Sequence, residues 1–247
     1  MITYQSTLLK KIPCNADTYH FYFSPPDDVN WTFKAGQYMI IHVPQDSTHT
    51  ARRLYSIASA PSNKEAVEFI IQLVPGGIAG TYLATVKEGD KVTLQGPAGL
   101  FGLKESAPTK VLIATGTGIA PIRSLVTDAL ETGHPETNYH LFWGLKNIEE
   151  TYILEELKSL ATKYPNFHFK ICLSRETDIS SKITATDTDH FLVGRVTAAI
   201  DEFLQQQTPD DTAFYLCGGK DVIDSLKNYI ITEKGIPADR VHFEKYT

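Results

Sequence analysis

Residues 111–121 (VLIATGTGIAP) have the composition of a phosphate-binding turn. An apolar run leads into Gly116, Thr117 and Gly118, and Pro121 opens a helical pattern. Glycine lets the backbone approach a diphosphate, and the amides and positive dipole at the start of a helix attract an anion. Proline suits the first helical turn, where its missing N–H is not needed. The same turn could join a strand to a helix without any ligand, so both interpretations stay open.

A second set of residues offers groups that recognise a nucleotide. Arg53 has a planar fork of donors for a diphosphate, Tyr55 has a flat ring face, and Ser56 has a hydroxyl. Alternation along a strand would place Arg53 and Tyr55 on one face and Leu54 and Ser56 on the other. Ideal alternation therefore does not bring all three side chains to one ligand. The alternative is an exposed arginine beside a tyrosine of the core.

Two further stretches also offer phosphate-binding groups. Residues 76–81 provide backbone amides and the Thr81 hydroxyl, although Pro-Gly-Gly is equally the composition of a hairpin turn. Ser174 and Arg175 follow an apolar strand and provide a hydroxyl and a positive charge. An arginine next to Glu176 is also a common surface ion pair.

The first half of the chain reads as short strands separated by glycine and proline turns. Residues 37–43, 67–74 and 91–95 are predicted strands, and several strands alternate apolar with polar positions. This pattern predicts an antiparallel barrel. Residues 104–109 (KESAPT) are predicted to be a linker.

From Lys110 onward, strands and helices alternate. The predicted strands are 110–115, 139–143, 167–173 and 213–216, and the predicted helices are 121–132, 149–163, 196–206 and 220–234. This order indicates a parallel sheet covered on both faces, and such sheets bind ligands beyond the carboxyl ends of their strands. Glycine turns at 116–118, 144 and 218–219 follow three of these strands and favour a nucleotide site.

Composition excludes several classes of function. Of the 247 residues, 42% are hydrophobic and 21% charged, and no apolar run suggests a signal peptide or a membrane span, so we expect a cytoplasmic protein. A net charge of -6 without a basic block argues against nucleic-acid binding. The widely spaced Cys14, Cys172 and Cys217 predict neither a disulfide framework nor an iron–sulfur cluster, and the histidines predict no metal site.

Taken together, these motifs resemble the ferredoxin-NADP reductase superfamily, in which an FAD-binding barrel precedes a nucleotide-binding α/β domain. The resemblance runs nearly end to end and is carried by residues 53–56 (RLYS), 75–83 (PGGIAGTYL), 96–99 (GPAG), 116–121 (GTGIAP), 141–144 (LFWG), 217–219 (CGG) and 244–246 (EKY). It implies a six-stranded antiparallel β-barrel over residues 1–103 and a doubly wound parallel α/β domain over residues 110–247.

The resemblance also implies how FAD is bound. The residues it assigns to FAD are Arg53, Leu54, Tyr55, Ser56, Gly76, Gly77, Thr81 and Tyr246. Ser56 is expected beside flavin N5. Many members carry serine where this chain has Gly80, so Thr81 or main-chain amides are expected to take over that contact with the diphosphate. Tyr246 is expected either to cover the flavin, as the terminal aromatic residue of plant-type reductases does, or to pack on the barrel.

For the nicotinamide nucleotide, the resemblance assigns Thr115, Gly116, Thr117, Gly118, Pro121, Ser174, Arg175, Cys217 and Gly218. The serine and arginine favour NADP over NAD, because they can hold the 2'-phosphate. Ser56, Cys217 and Glu244 are expected to surround the transfer site as the catalytic residues. Cys217 could instead be a small buried apolar group, and Glu244 an exposed carboxylate.

The implied activity is transfer of a hydride from NADPH to FAD and of single electrons onward to a ferredoxin or flavodoxin. One alternative is an NAD(P)H reductase component that serves an oxygenase or free flavin. Another is a flavin electron-transfer subunit of a larger complex. An acidic carrier would need a local basic rim, for which the candidates are Lys10, Lys11, Lys34, Arg52 and Lys104.

Overall fold

The computed structural model of the protein describes residues 1–28, 31–46, 48–104, 107–133, 135–207 and 211–246. Residues 105 and 106 of the predicted linker, and Thr247, lie outside the described residues. The chain divides into two compact units. The first unit is Met1–Gly102 with Arg123–Asp128, and the second is Leu103–Ile122 with Ala129–Thr247.

The first unit contains a six-stranded antiparallel sheet in the order β4-β3-β6-β1-β2-β5. Its strands are β1 (Ile2–Pro13), β2 (Thr18–Phe23), β3 (Tyr38–Pro44), β4 (Thr50–Ser56), β5 (Val67–Gln72) and β6 (Lys91–Ala98). The Ala58 amide, just after β4, donates to the Glu68 carbonyl of β5 at 2.8 Å. This bond links the two ends of the strand order, and the predicted barrel is confirmed.

Alternation along the strands explains the core of the first unit. In β3, Met39, Ile41 and Val43 are fully buried, whereas the residues between them are partly exposed. The same core contains the buried rings of Phe21 and Phe69. Complete burial of each such side chain contributes about 1.5–3 kcal/mol.

A short helix, α1 (Ile78–Thr85), lies between β5 and β6. Its two buried residues, Ala79 and Leu83, are four positions apart and therefore share one face. The sequence did not predict α1, because the preceding Pro-Gly-Gly is typical of a turn and Gly80 lowers helix propensity.

The second unit contains a six-stranded parallel sheet in the order β10-β9-β8-β7-β11-β12, as predicted for a doubly wound α/β domain. Its strands are β7 (Thr109–Thr115), β8 (Asn138–Leu145), β9 (Phe167–Leu173), β10 (Phe191–Val193), β11 (Thr212–Gly219) and β12 (Val241–Tyr246). Its helices are α2 (Ile119–Thr132), α3 (Leu154–Lys163), α4 (Val196–Leu204) and α5 (Lys220–Asn228).

Several elements of the second unit differ from the predicted ones. Helix α3 begins only at Leu154, and α5 passes into a π-helical turn at Tyr229–Glu233. Strands β10 and β12 were not predicted. The first has only three residues, and the second (VHFEKY) mixes apolar with charged residues, as edge strands do.

Within the described ranges, no helix is long and apolar enough to cross a bilayer. The described residues also contain no group of three or more His, Cys, Asp or Glu side chains that could hold a metal ion.

Candidate functional site

In the second unit, the turn after β7 and the end of β11 approach each other backbone to backbone. A Cβ atom on Gly118 would clash with the carbonyl oxygen of Cys217, and one on Gly218 would clash with the Thr115 hydroxyl. Strands β7 and β11 are neighbours in the sheet, and the strand order reverses between them. Glycine at 118 and 218 therefore permits close packing at the topological switch point, where open α/β sheets bind ligands.

The turn itself is held from the neighbouring strand. The buried Trp143 of β8 donates from its indole Nε1 to the Gly116 carbonyl oxygen at 3.0 Å. Gly116 has φ +53°, and nothing lies within 4 Å of the position where its Cβ would be. Trp143 thus holds the carbonyl of Gly116, while no protein atom occupies the space where a side chain at this position would lie.

Helix α2 follows this turn directly and begins at Ile119, two residues before the predicted start. Pro121 still falls in the first turn, and no side chain caps the helix at Gly118. The Ile119 amide donates to the Gly116 and Thr117 carbonyl oxygens, and Pro121 has no N–H. An anion at this end of α2 would therefore be bound by amides of the preceding turn.

Cys217, Glu244 and Tyr246 lie on the same face of the sheet. Cys217 of β11 pairs with Glu244 of β12, and Gly219 pairs with Tyr246, so strand alternation orients the three side chains alike. Cys217 is completely buried, and this burial raises the pKa of its thiol far above the usual range, although a hydrogen bond with the Tyr246 side chain lowers it in part. The thiol is therefore protonated at physiological pH and acts as a packing group rather than a nucleophile.

Ser174 and Arg175 follow β9 and are exposed. The Ser174 hydroxyl donates to the Leu145 carbonyl oxygen at 3.1 Å, and the Arg175 amide donates to the Lys146 carbonyl oxygen at 2.8 Å. Among the described residues, the Arg175 guanidinium makes no hydrogen bond or ion pair.

Glu176 is engaged elsewhere. It accepts from the Ile148 amide at 3.1 Å and from Lys182 Nζ at 3.0 Å. The bond from the Ile148 amide, and then the one from Lys182, lower the pKa of the Glu176 carboxyl. The structure therefore does not contain the surface ion pair between Arg175 and Glu176 that the sequence left open.

In the first unit, Arg53, Leu54, Tyr55 and Ser56 occupy the end of β4. Pairing with β3 runs without interruption along the strand, so alternation puts Arg53 and Tyr55 on one face and Leu54 and Ser56 on the other. Leu54 is 56% exposed and Ser56 is 7% exposed. The four residues are therefore consecutive but divided between two faces.

The side chains of Arg53 and Tyr55 differ in burial. Arg53 is exposed and donates from Nη1 to the Arg52 carbonyl oxygen at 2.9 Å. Tyr55 is half-buried against the barrel core, and this burial raises the pKa of its phenol, while the Arg53 charge lowers it. An exposed guanidinium and a ring with one face on the core are compatible with binding a diphosphate and a flat ring, respectively.

The start of α1 offers an anion site of a similar kind. Gly76 has φ +73° and nothing within 4 Å of its Cβ position, and Gly77 precedes the helix without any side-chain cap. The Thr81 amide closes the first turn by donating to the Gly77 carbonyl oxygen at 2.9 Å. The amides of residues 78–80 have no acceptor within the helix, and the Thr81 side chain is exposed.

The structure gives a physical reason for glycine at position 80. A Cβ there would lie 2.6 Å from the Val74 carbonyl oxygen and 3.0 Å from the Val74 nitrogen. Serine at this position would force the backbone to move, and Thr81 carries the nearest hydroxyl in sequence.

Comparison with known proteins assigns a domain to each half of the chain. A family model described as an oxidoreductase FAD-binding domain matches residues 5–102, and one described as an oxidoreductase NAD-binding domain matches residues 112–228. The chain belongs to the ferredoxin-NADP reductase superfamily. It is thus a member of a family of flavoprotein oxidoreductases.

Relatives within the superfamily include reductase components of oxygenases. The chain is 29% identical over 239 residues to the reductase component of propane 2-monooxygenase from Rhodococcus jostii, with 95% of this chain and 61% of that protein covered. It is 31% identical to the electron transfer component of toluate 1,2-dioxygenase from Pseudomonas putida, with 87% of this chain and 59% of that protein covered. The chain thus spans about three fifths of the length of these curated relatives.

Solved structures of superfamily members share the fold. The Amycolatopsis cytochrome P450 reductase GcoB superposes with a TM-score of 0.83 at 27% identity, covering 99% of this chain and 70% of that one. A ferredoxin NADP+ reductase from Neisseria gonorrhoeae with bound FAD and NADP superposes with a TM-score of 0.79 at 20% identity, covering 98% of both chains.

Sequence reasoning missed the function of Trp143. Residues 141–144 carry part of the family resemblance, but their sequence does not indicate that Trp143 holds the glycine turn. The available signal was a tryptophan at the carboxyl end of a buried strand, since a buried indole N–H needs an acceptor.

Proposed function

We propose that this chain takes a hydride from NADPH and passes electrons one at a time to a protein acceptor, using FAD. The observation that carries the proposal is the contact of Gly118 with Cys217 and of Gly218 with Thr115 at the switch point of the parallel sheet. Bound FAD supplies the exchange between a two-electron donor and a one-electron acceptor. We propose residues 1–103 as the FAD domain and residues 110–247 as the NADP domain.

In this proposal, the first unit binds the flavin nucleotide. The diphosphate is held by the amides of residues 78–80, the Thr81 hydroxyl and Arg53. The amides have no acceptor within the helix, and the side chains of Thr81 and Arg53 are exposed to solvent. Tyr55 would support the ring system, and Ser56, on the other face of β4, would offer a hydroxyl to the flavin. These residues bind and orient, and none needs to act as an acid or base.

The second unit binds NADPH. The amides of the turn at residues 116–118, just before α2, hold the diphosphate. Cys217 packs against the nicotinamide as a protonated thiol, and Glu244, its neighbour on β12, makes a polar contact. Hydride transfer requires the reacting carbon and nitrogen to approach within about 3–3.5 Å, so orientation is the main task of these residues.

We base the preference for NADPH over NADH on two neighbouring side chains, Arg175 and Glu176, of which only the second already has partners. The exposed Arg175 guanidinium has no partner among the described residues, so it is available to the 2'-phosphate. Glu176, which would favour NADH by accepting from a ribose hydroxyl, is already engaged by Lys182 and the Ile148 amide. The diphosphate site can hold either coenzyme, and Arg175 makes NADP the expected ligand and NAD the less favoured one.

As the acceptor we propose a ferredoxin or flavodoxin. A second candidate is an oxygenase component that receives electrons directly, and the names of the propane monooxygenase and toluate dioxygenase relatives favour it.

The deciding experiment is anaerobic mixing of the purified protein, loaded with FAD, with NADPH or NADH in turn. Rapid bleaching of the flavin absorbance by NADPH, with slower bleaching by NADH, is the expected result. Equal rates would contradict the NADPH preference, and no bleaching by either would contradict the function. Reduction of added ferredoxin, flavodoxin or an oxygenase component then distinguishes the acceptors.

A further inference from the structure

The C-terminal end of α1 is capped by a lysine from another part of the barrel. Lys11 Nζ, on β1, donates to the main-chain oxygens of Leu83 at 2.8 Å, Ala84 at 3.0 Å and Val86 at 3.3 Å. Leu83 and Ala84 belong to the last turn of the helix, whose carbonyls have no partner within the helix. Lys11 therefore satisfies two of these carbonyls and the one that follows the helix.

Helix α1 has no capping groups of its own. It contains eight residues, with no acidic residue in its first turn, no basic residue in its last turn and no side-chain cap at Gly77. Isolated helices of this length are unstable in water. A cation at the C-terminal end is favourable to the helix dipole, and Lys11 is the residue that supplies it.

The Lys11 ammonium also lies over two aromatic rings of the barrel. Its Nζ lies 5.3 Å from the ring centroid of Tyr19 and 5.6 Å from that of Phe21. Its partial burial lowers the pKa of Lys11, as expected for an ammonium removed from water. The three donors and the charge are thus directed at α1 and at aromatic faces, in contrast to those of the exposed neighbour Lys10.

We propose that Lys11 is a positioning residue for the FAD diphosphate. Anchored by Lys11 at its C-terminal end, α1 keeps the amides of residues 78–80 at the opposite end in a fixed position for an anion. This inference rests on the proposed function, in which those amides bind FAD. Eight helical residues span about 12 Å, so Lys11 at one end is too far away to contact an anion at the other. Lys11 therefore acts through the helix and not by direct contact.

The test compares two flavins that share the ring system, of which only FAD carries the diphosphate, together with its adenosine. FAD and riboflavin are titrated into protein freed of flavin, and binding is measured by flavin fluorescence. Lys11→Met is expected to weaken FAD binding about tenfold, because the C-terminal cation is lost, and to change riboflavin binding less than about twofold. Lys10→Met is the matched control and is expected to change neither affinity.

Lys11→Arg is the second variant, in case Lys11→Met does not fold. A guanidinium keeps the charge, but its donors lie in one plane, whereas the three donors of an ammonium diverge from one nitrogen. FAD affinity between those of the wild type and Lys11→Met is expected, with riboflavin affinity unchanged. Thermal unfolding of each variant is measured alongside.

Wild-type FAD affinity in both Lys11 variants would overturn the inference, and so would an equal loss of FAD and riboflavin binding, which indicates a general structural role. A wild-type protein that binds neither flavin would overturn the proposed function, and the role of Lys11 with it. The two failures are therefore distinguishable from the wild-type titration alone.

Discussion

Arg123 donates a hydrogen bond from Nη1 to Oε2 of Glu68 at 2.8 Å within the first unit, where the Glu68 side chain is only 7% exposed. Glu68 Oε2 also lies 2.9 Å from His20 Nε2, and Oε1 accepts from Asn63 Nδ2 at 2.7 Å. Arg123 donates to the Ala58 carbonyl oxygen at 2.7 Å as well. The carboxylate is thus buried but satisfied on both oxygens.

Removing the arginine should be costly, because it leaves a buried carboxylate without its permanently charged partner. We expect Arg123→Met to lower the free energy of unfolding by about 3 kcal/mol. Arg52→Met, at an exposed arginine, is the control and should change it by less than about 0.5 kcal/mol. Chemical denaturation at pH 7 measures both, and equal stability of the two variants would contradict the assignment.

The same carboxylate predicts a dependence on pH. Burial raises the pKa of Glu68, but the His20 hydrogen bond and the Arg123 charge outweigh it and lower the pKa below its ordinary value. Glu68 therefore contributes stability that is fully present above the unfolded pKa of about 4.3 and is lost as the pH falls through the lower folded value. The free energy of unfolding of Glu68→Gln should fall less steeply below that pH than that of the wild type. Parallel curves would show that Glu68 does not titrate in this way.

Glycine substitutions test the backbone contact at the switch point. Gly118→Ala and Gly218→Ala each place a methyl group against main-chain or hydroxyl oxygen, so we expect about 1–3 kcal/mol of destabilisation and weaker NADPH binding. Gly219→Ala is the matched control, since nothing lies within 4 Å of its Cβ position and its φ of -64° suits alanine. Isothermal titration with NADP and thermal unfolding distinguish the three. If Gly219→Ala lost as much stability and NADP affinity as Gly118→Ala, a specific role of the backbone contact would be contradicted.

Much of this switch point could be predicted from sequence, because the glycines at 116, 118 and 218 lie at or just after the carboxyl ends of buried apolar strands. Helix α1 could not, since Gly80 and the Pro-Gly-Gly before it lower local helix propensity, and packing of Ala79 and Leu83 supplies the stability. The contact of Lys11 with Leu83 joins residues 72 positions apart. Such a pairing follows from the register of the barrel, and no local pattern contains it.

Coenzyme selectivity should depend on Arg175. If its guanidinium binds the 2'-phosphate, Arg175→Ala removes a charge-assisted hydrogen bond of about 2–3 kcal/mol and lowers kcat/KM for NADPH by about 30- to 100-fold. The value for NADH should stay within about twofold and serves as the internal control, because NADH has no 2'-phosphate. Steady-state kinetics with both coenzymes measure the ratio. An equal decrease for both would place Arg175 outside the phosphate site.

The hydrogen bond between Tyr246 and Cys217 predicts competition at the nicotinamide position. Tyr246 is half-buried on the sheet face of Cys217, and its side chain bonds to the Cys217 thiol, so a nicotinamide that packs on Cys217 must first displace the phenol. Deleting Tyr246 and Thr247 removes this cost, and we expect NADP to bind about tenfold more tightly, the equivalent of one lost hydrogen bond. Deleting Thr247 alone is the control and should leave the affinity unchanged. Unchanged affinity in the longer deletion would show that Tyr246 and the nicotinamide do not compete for Cys217.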